Sequence, residues 1–261
     1  MGWTTGGWGG DGWPKPVAAG GGGPATPLTI FGANLVAWYD AQDLSTITKD
    51  GTNRISEQRD KSGNNYHLEI DVAAGAASAG VSHVDYLPTG MSGGAKPGTS
   101  TVQTPYAALG VPMGVSQFAL FMVVKTPVAA ASAICGFAGG NTGNSISPAG
   151  SFGVMTDWGS NTLIQFWRTD TAAASVIVPT ANSQYRLAFV FDATTGVGYV
   201  NGVAGSPITF SQTLDATGTL YIGSISVGFN DGSPVGEFAL VKGAVSNGQN
   251  TAMDAYFAGR W

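Results

Sequence analysis

The chain has 261 residues, of which 43% are hydrophobic, 10% are charged and 40 are glycine, with a net charge of −5. That length suits one large β domain or two small ones, with enough apolar residues for a sizeable core. The 11 Lys and Arg form no basic stripe, which argues against nucleic acid as a partner, because a phosphate backbone attracts clustered cations.

Further exclusions follow from single residues. Cys135 stands alone, so no intrachain disulfide forms. No Asn-x-Ser/Thr sequence suggests glycosylation. The start lacks the basic and apolar regions of a secretory signal. The longest strictly apolar run, Phe118–Val124, is far shorter than a membrane span. The expectation is a protein folded in a cytoplasm. It would work outside cells only by another route, such as release by lysis in a virus particle.

Residues 1–30 form a separate compositional zone. Trp3, Trp8 and Trp13 recur every five residues among glycines, and Pro14, Pro16, Pro24 and Pro27 stiffen the second half. No helical or strand period is present. By composition the segment is a disordered linker. Ordering it would cost roughly 1–2 kcal/mol per residue in backbone entropy. Three buried tryptophans return about 3 kcal/mol each. Only a partner surface could hold it, so we read residues 1–30 as an anchoring arm with Trp3, Trp8 and Trp13 as its contacts. Residues 31–261 form the folded domain.

After Ile30 short apolar runs alternate with turn residues, as in a sandwich or barrel. Residues 72–117 are rich in Ala, Gly, Ser and Pro and predict long loops with one or two short strands, for example Val84 to Leu87. Phe118–Val124 is continuously apolar and predicts a strand buried on both faces. Leu187, Phe189 and Phe191 alternate with Ala188 and Val190 in another. After Val197–Val200, Asn201-Gly202 supplies the positive φ angles of a tight hairpin turn. Leu220–Gly223 and Gly236–Val241 predict two more strands. Ser246 and Gln249 fit a capping box, and Ala252/Tyr256 and Met253/Phe257 are i,i+4 pairs, so a short helix should dock on the sandwich with Trp261 closing the chain.

Several of these segments together resemble the laminin-G-like, concanavalin A-like jelly-roll family found in bacterial and phage proteins. The opening Leu35-Val36-Ala37-Trp38-Tyr39-Asp40-Ala41-Gln42-Asp43 is followed by Asp60-Lys61-Ser62-Gly63-Asn64-Asn65-Tyr66-His67. The hairpin ending at Asn201-Gly202, the strand around Ile222-Gly223, the closing strand Gly236–Val241 and Tyr256…Arg260-Trp261 fit the family's usual order. The resemblance covers residues 35–261, with residues 72–117 matching poorly. It implies an all-β, two-sheet antiparallel jelly-roll sandwich with a short C-terminal helix, used in carbohydrate binding, adhesion or particle structure. Some relatives are glycosidases, so the fold does not settle function. The opening motif also has a plain structural reading: Trp38 and Tyr39 pack, and Asp40 and Asp60 cap turns.

Glycosidases of this fold use paired carboxylates on one strand face, in a pattern Glu-x-Asp-x-Glu. Glu69-Ile70-Asp71 begins it, but the next place is Ala73, and of the three glutamates, Glu57, Glu69 and Glu237, none pairs with another at that spacing. Gly90-Met91-Ser92-Gly93-Gly94 formally fits a nucleophile elbow but lacks the following helix. His67 and His83 make neither a triad nor a zinc site. Asp50–Asn53 and Asn230–Ser233 are loop segments of a calcium-binding type without the ligand density of a dedicated site. No cofactor or metal is implied. The best sugar-site candidate is Asp157-Trp158 with Gln165 and Trp167, an aromatic platform beside amide and carboxylate groups. In a strand Gln165 and Trp167 share one face and Arg168 takes the other. The bland alternative is a core Trp167 and a solvated Arg168.

These readings combine into a non-enzymatic structural protein of a tailed-phage-like virion, foremost a head decoration or accessory protein. Its arm would lie on capsid or tail subunits in a symmetric oligomer. The alternative is a receptor-recognition or adhesion module of a tail fibre that binds a host-surface glycan. Neither reading calls for nucleic acid or a membrane.

Overall fold

The computed structural model describes residues 25–49, 51, 54–69, 84–87, 94–97, 109–110, 117–125, 133–139, 152–156, 164–168, 171–177, 183–192, 194–209, 218–222 and 235–261. A one-turn helix α1 (Pro27–Phe31) leads into β1 (Leu35–Asp40), β2 (Ile47–Lys49), β3 (Arg54–Gln58) and β4 (Leu68–Glu69). Then come β5 (Val84–Leu87), β6 (Gly94–Pro97), β7 (Leu109–Gly110) and β8 (Gln117–Lys125). The middle holds β9 (Ala133–Gly139), β10 (Phe152–Thr156), β11 (Ile164–Arg168) and β12 (Thr171–Ile177). The last third holds β13 (Gln184–Asp192), β14 (Thr195–Val200), β15 (Val203–Ala204), β16 (Ile208–Thr209), β17 (Gly218–Ile222) and β18 (Val235–Lys242). Helix α2 (Asn247–Arg260) follows.

The strands form two antiparallel sheets, and the fold is all-β with a C-terminal helix. The first sheet runs β15-β14-β13-β8-β18-β6-β5-β3-β2, with β1 on β18, β16 on β14 and β4 on β3. The second runs β12-β11-β10-β9-β17-β7. Where the sequence predicted one or two short strands among long loops, β5, β6 and β7 stand.

The centre of the first sheet is buried on both faces, as the unbroken apolar run of β8 predicts. Phe118, Leu120, Met122 and Val124 join Tyr39, Leu187, Phe189, Phe191, Phe238 and Leu240 on one face. Ala119, Phe121 and Val123 join Leu35, Trp38, Ala239 and Val241 on the other, where Phe31, Met253, Tyr256 and Phe257 of the two helices cover them. Each large side chain so buried contributes about 1.5–3 kcal/mol. The helix therefore docks through Met253, Tyr256 and Phe257 rather than through its own propensity, which is weak at this length.

Both helices start on capping boxes. Ser246 accepts from the backbone of Gln249, and Gln249 reaches back to the Ser246 N–H, completing the capping box. Thr26 and Thr29 form a second box, with Pro27 at the first helical place. Phe31 is buried and sits 5.2 Å from the ring of Phe121. Residues 26–30, grouped by composition with the arm, thus join the folded body, because one capped turn suffices to seat Phe31.

The predicted Asn201-Gly202 turn takes φ of 50° and 80°, as a tight hairpin requires. It lies against α2: a Cβ on Gly202 would stand 2.8 Å from Asp254 Oδ2. Asp254 in turn receives Arg186 Nε at 2.8 Å. The positive φ calls for glycine there, and any added side chain would have to push aside the Asp254 carboxylate.

Candidate functional site

The polar residues of the opening motif meet those of the chain end in one buried cluster. Asp40 and Glu237 are register partners across β1 and β18, and they are 0% and 1% exposed. Like charges directly opposite in a sheet repel. Arg260, in the last turn of α2, resolves the conflict. Its Nη2 donates to Asp40 Oδ1 at 2.9 Å and Oδ2 at 2.8 Å, and its Nε lies 3.5 Å from Glu237 Oε2. Lys61 Nζ reaches Asp40 and Asp43, each at 2.8 Å, and stands over the Trp38 ring at 4.4 Å.

Glu237 is the hub. Trp38 Nε1 and Tyr256 OH both donate to its Oε1 at 2.7 Å. Trp261 Nε1 donates to Oε2 at 2.8 Å. Burial, with Asp40 second, still raises the Glu237 carboxyl above its ordinary value, and these three donors only partly offset it. Burial and then Glu237 raise the Tyr256 hydroxyl, which keeps its proton to donate. Lys61 and then Ser45 hold Asp43 below the ordinary carboxylate range.

A second cluster lies beside the first. Asp60 Oδ1 accepts from the backbone N–H groups of Trp38 at 2.9 Å and Ser62 at 2.8 Å. Its Oδ2 accepts from Tyr66 N at 3.1 Å and Ser62 Oγ at 2.6 Å. His67 Nδ1 accepts from Asp60 N at 3.1 Å, a structural role as expected. Tyr39 OH donates to the Tyr66 carbonyl. The structural reading of Trp38, Tyr39, Asp40 and Asp60 therefore holds, with one addition: Asp40 binds charges as well as the Gln42 N–H, at 3.0 Å.

Chemically, this paired-carboxylate cluster is a clasp. A general acid or nucleophile must touch a substrate, and both carboxylates are saturated and covered while α2 is docked. Sequence reasoning treated Glu237 only as an unpaired glutamate. The available signal was one charge inside the otherwise apolar run Val235–Val241.

The remaining candidates separate. Trp3, Trp8, Trp13, Asp157, Trp158, Asp71, His83, Asp50 and Asn230–Ser233 lie outside the described residues. Gln165 and Trp167 stand on β11 of the second sheet, opposite Met155 and Gly153 of β10. Glu69, on β4, is the register partner of Glu57. Cys135 is on β9, opposite Val154. Among the described residues no cluster of His, Cys, Asp and Glu is placed to hold a metal ion.

No protein-family model matches the sequence, and no curated protein matches it. Solved structures resemble it in fold. The sialidase of Trypanosoma rangeli superposes with a TM-score of 0.60 at 15% identity, over 88% of this chain and 35% of that one. This chain thus spans about a third of the sialidase. Domain 4 of an extracellular arabinanase from Geobacillus stearothermophilus, solved in complex with arabinotriose, gives a TM-score of 0.57 at 16% identity, over 85% of this chain and 98% of that one. The binding domain of Paraclostridial Mosquitocidal Protein 1 gives 0.54 at 11%, over 86% and 52%. At such identities the likeness is one of fold.

Proposed function

We propose that the chain is a non-catalytic, concanavalin A-like jelly-roll module that binds carbohydrate. The observation that carries this reading is the match to nearly the whole of an arabinanase domain whose structure holds arabinotriose. A strand that sets Gln165 and Trp167 two residues apart on one face supports it. A sugar ring stacks its C–H face on an indole and offers hydroxyls to an amide. Against catalysis stand the enclosed Asp40 and Glu237, and the acidic pattern that breaks at Ala73.

The test is affinity electrophoresis of the full chain against plant, fungal and bacterial polysaccharides. We expect retention by at least one polymer without release of sugars, and an affinity loss of at least about tenfold in Trp167→Ala, equivalent to about 1.4 kcal/mol. Absence of retention by every polymer would overturn the reading.

A second reading, the structural protein of a tailed-phage-like virion, is favoured by the tryptophans recurring every five residues in the arm. It places the module on a particle assembled in a host cytoplasm, as a head decoration or accessory protein in symmetric copies. Deleting residues 1–24, which keeps the Thr26 cap and Phe31, should abolish attachment to the particle while the domain stays folded. Normal attachment of the truncated protein would sink this reading.

A further inference from the structure

The register of the second sheet sorts its residues onto two faces. Partners across an antiparallel pair share a face, as do residues two apart along a strand. Ile222, Cys135, Val154 and Phe166 form one row across β17, β9, β10 and β11. Leu220, Phe137, Phe152 and Arg168 form the next row on the same face. These two rows are apolar except for Arg168 at the end of β11, while Thr156 and Thr171 share their face at its margins. The opposite face carries a row of Tyr221, Gly136, Gly153 and Trp167. Beside it stand Thr219 and Ala138 on one side, and Met155, Gln165 and Ser175 on the other.

A sheet with one apolar face turns it toward the core. The first sheet has a matching layer, in which Phe118, Leu120, Phe189 and Phe238 are buried on the face away from the helices. By that rule the Tyr221–Trp167 face, the less apolar of the two by register, is the one left outside the core. It carries no charged residue in these rows.

We propose that this face is a trough for an uncharged oligosaccharide chain, running across the strands from Trp167 to Tyr221 over Gly153 and Gly136. The inference rests on the carbohydrate-binding reading and names its site. Three strand spacings separate the two aromatics, about 14 Å, so the trough takes more than one sugar ring. Two glycines paired in mid-strand weaken the ladder, and close approach of another molecule is one of the few settings that calls for them. Gln165, Ser175 and Thr219 offer amide and hydroxyl groups, which match neutral sugars. An anionic glycan would call for Arg or Lys at this face.

The experiment is calorimetric titration of the full chain with neutral polysaccharides, arabinan among them, and with anionic polygalacturonate. The parent is compared with Tyr221→Ala and Gly153→Thr. Both variants should lose at least about tenfold in affinity for the neutral ligand. Threonine favours strands, so Gly153→Thr should melt no lower than the parent, and it carries the test should Tyr221→Ala fail to fold. A parent that binds, with both variants binding equally well, overturns the trough and leaves the carbohydrate reading standing. A parent that binds nothing overturns both. Preference for polygalacturonate overturns the neutral ligand. A Gly153→Thr chain that loses its melting transition places that glycine in the fold and overturns its role as trough floor.

Discussion

Replacing Glu237 by alanine should cost about 3–5 kcal/mol of stability, the loss typical of deleting one partner from a buried ionic cluster. The change orphans Trp38 Nε1, Tyr256 OH and Trp261 Nε1 together. It also strips Arg260 Nε of its neighbour at 3.5 Å, in a guanidinium whose Nε already has no hydrogen bond. Glu237→Gln keeps one acceptor oxygen for Trp38 and Tyr256. Its amide nitrogen then faces the Trp261 N–H, a donor against a donor, so the loss is smaller but real. Urea melts followed by tryptophan emission read both variants, because Trp38 and Trp261 report on the clasp. An alanine variant within about 1 kcal/mol of the parent would show that the apolar contacts of Met253, Tyr256 and Phe257 hold the helix unaided.

Acid acts on the same cluster in two directions. The folded protein raises the Glu237 carboxyl, through burial and then Asp40, so it tolerates the protonated form better than the unfolded chain does. Stability from this group therefore grows as pH falls from above the raised value to the ordinary glutamate value. Asp43 is depressed, through Lys61 and then Ser45. Its contribution is full above the ordinary aspartate value and is lost as pH falls through the depressed one. Melting temperature against pH should peak on the acid side of neutrality. Glu237→Gln should remove the rise and keep the fall, and Asp43→Asn should do the reverse.

The strands that were legible are those whose pattern is set locally. Phe118–Val124 is apolar throughout because both its faces are covered, and Asn201-Gly202 declares its turn by chemistry. Ser246 and Gln249 announce the helix start in the same way. The clasp was legible only in halves. Trp38–Asp40 and Arg260-Trp261 stood out at the two ends of the domain, but their meeting depends on β1 pairing with β18, a contact of high sequence separation with no local signature. Glu237 was missed because a lone acid in a strand looks like a solvated one until its four neighbours are in place. The faces of the second sheet were invisible for a similar reason. Gly136, Gly153, Trp167 and Tyr221 lie on four strands, and only the register sets them in one row. Helix α1 was hidden because a single capped turn has no period to read.

Asp60→Ala should destabilise the fold by about 3 kcal/mol or more, because it orphans the N–H groups of Trp38, Ser62 and Tyr66 together, and should also change how the chain associates. β1 pairs with β18 on one edge, and among the described residues no strand pairs with the other. Its backbone groups there are met instead by the segment Asp60–Asn64. Asp60 Oδ1 takes the Trp38 N–H at 2.9 Å, and Lys61 N gives to the Trp38 carbonyl at 2.8 Å. Asn64 Nδ2 gives to the carbonyls of Leu35 and Val36, each at 2.9 Å. The Asp-Lys-Ser-Gly-Asn turn thus seals a sheet edge that would otherwise template pairing with another chain. Asp60→Ala combined with Asn64→Ala unseals it. Light scattering across a concentration series should show the double variant shifting toward larger species than the parent, while Leu44→Ala, an exposed change in a neighbouring turn, should not. Size distributions identical to the parent, with an unchanged melting temperature, would show that the turn has no sealing role.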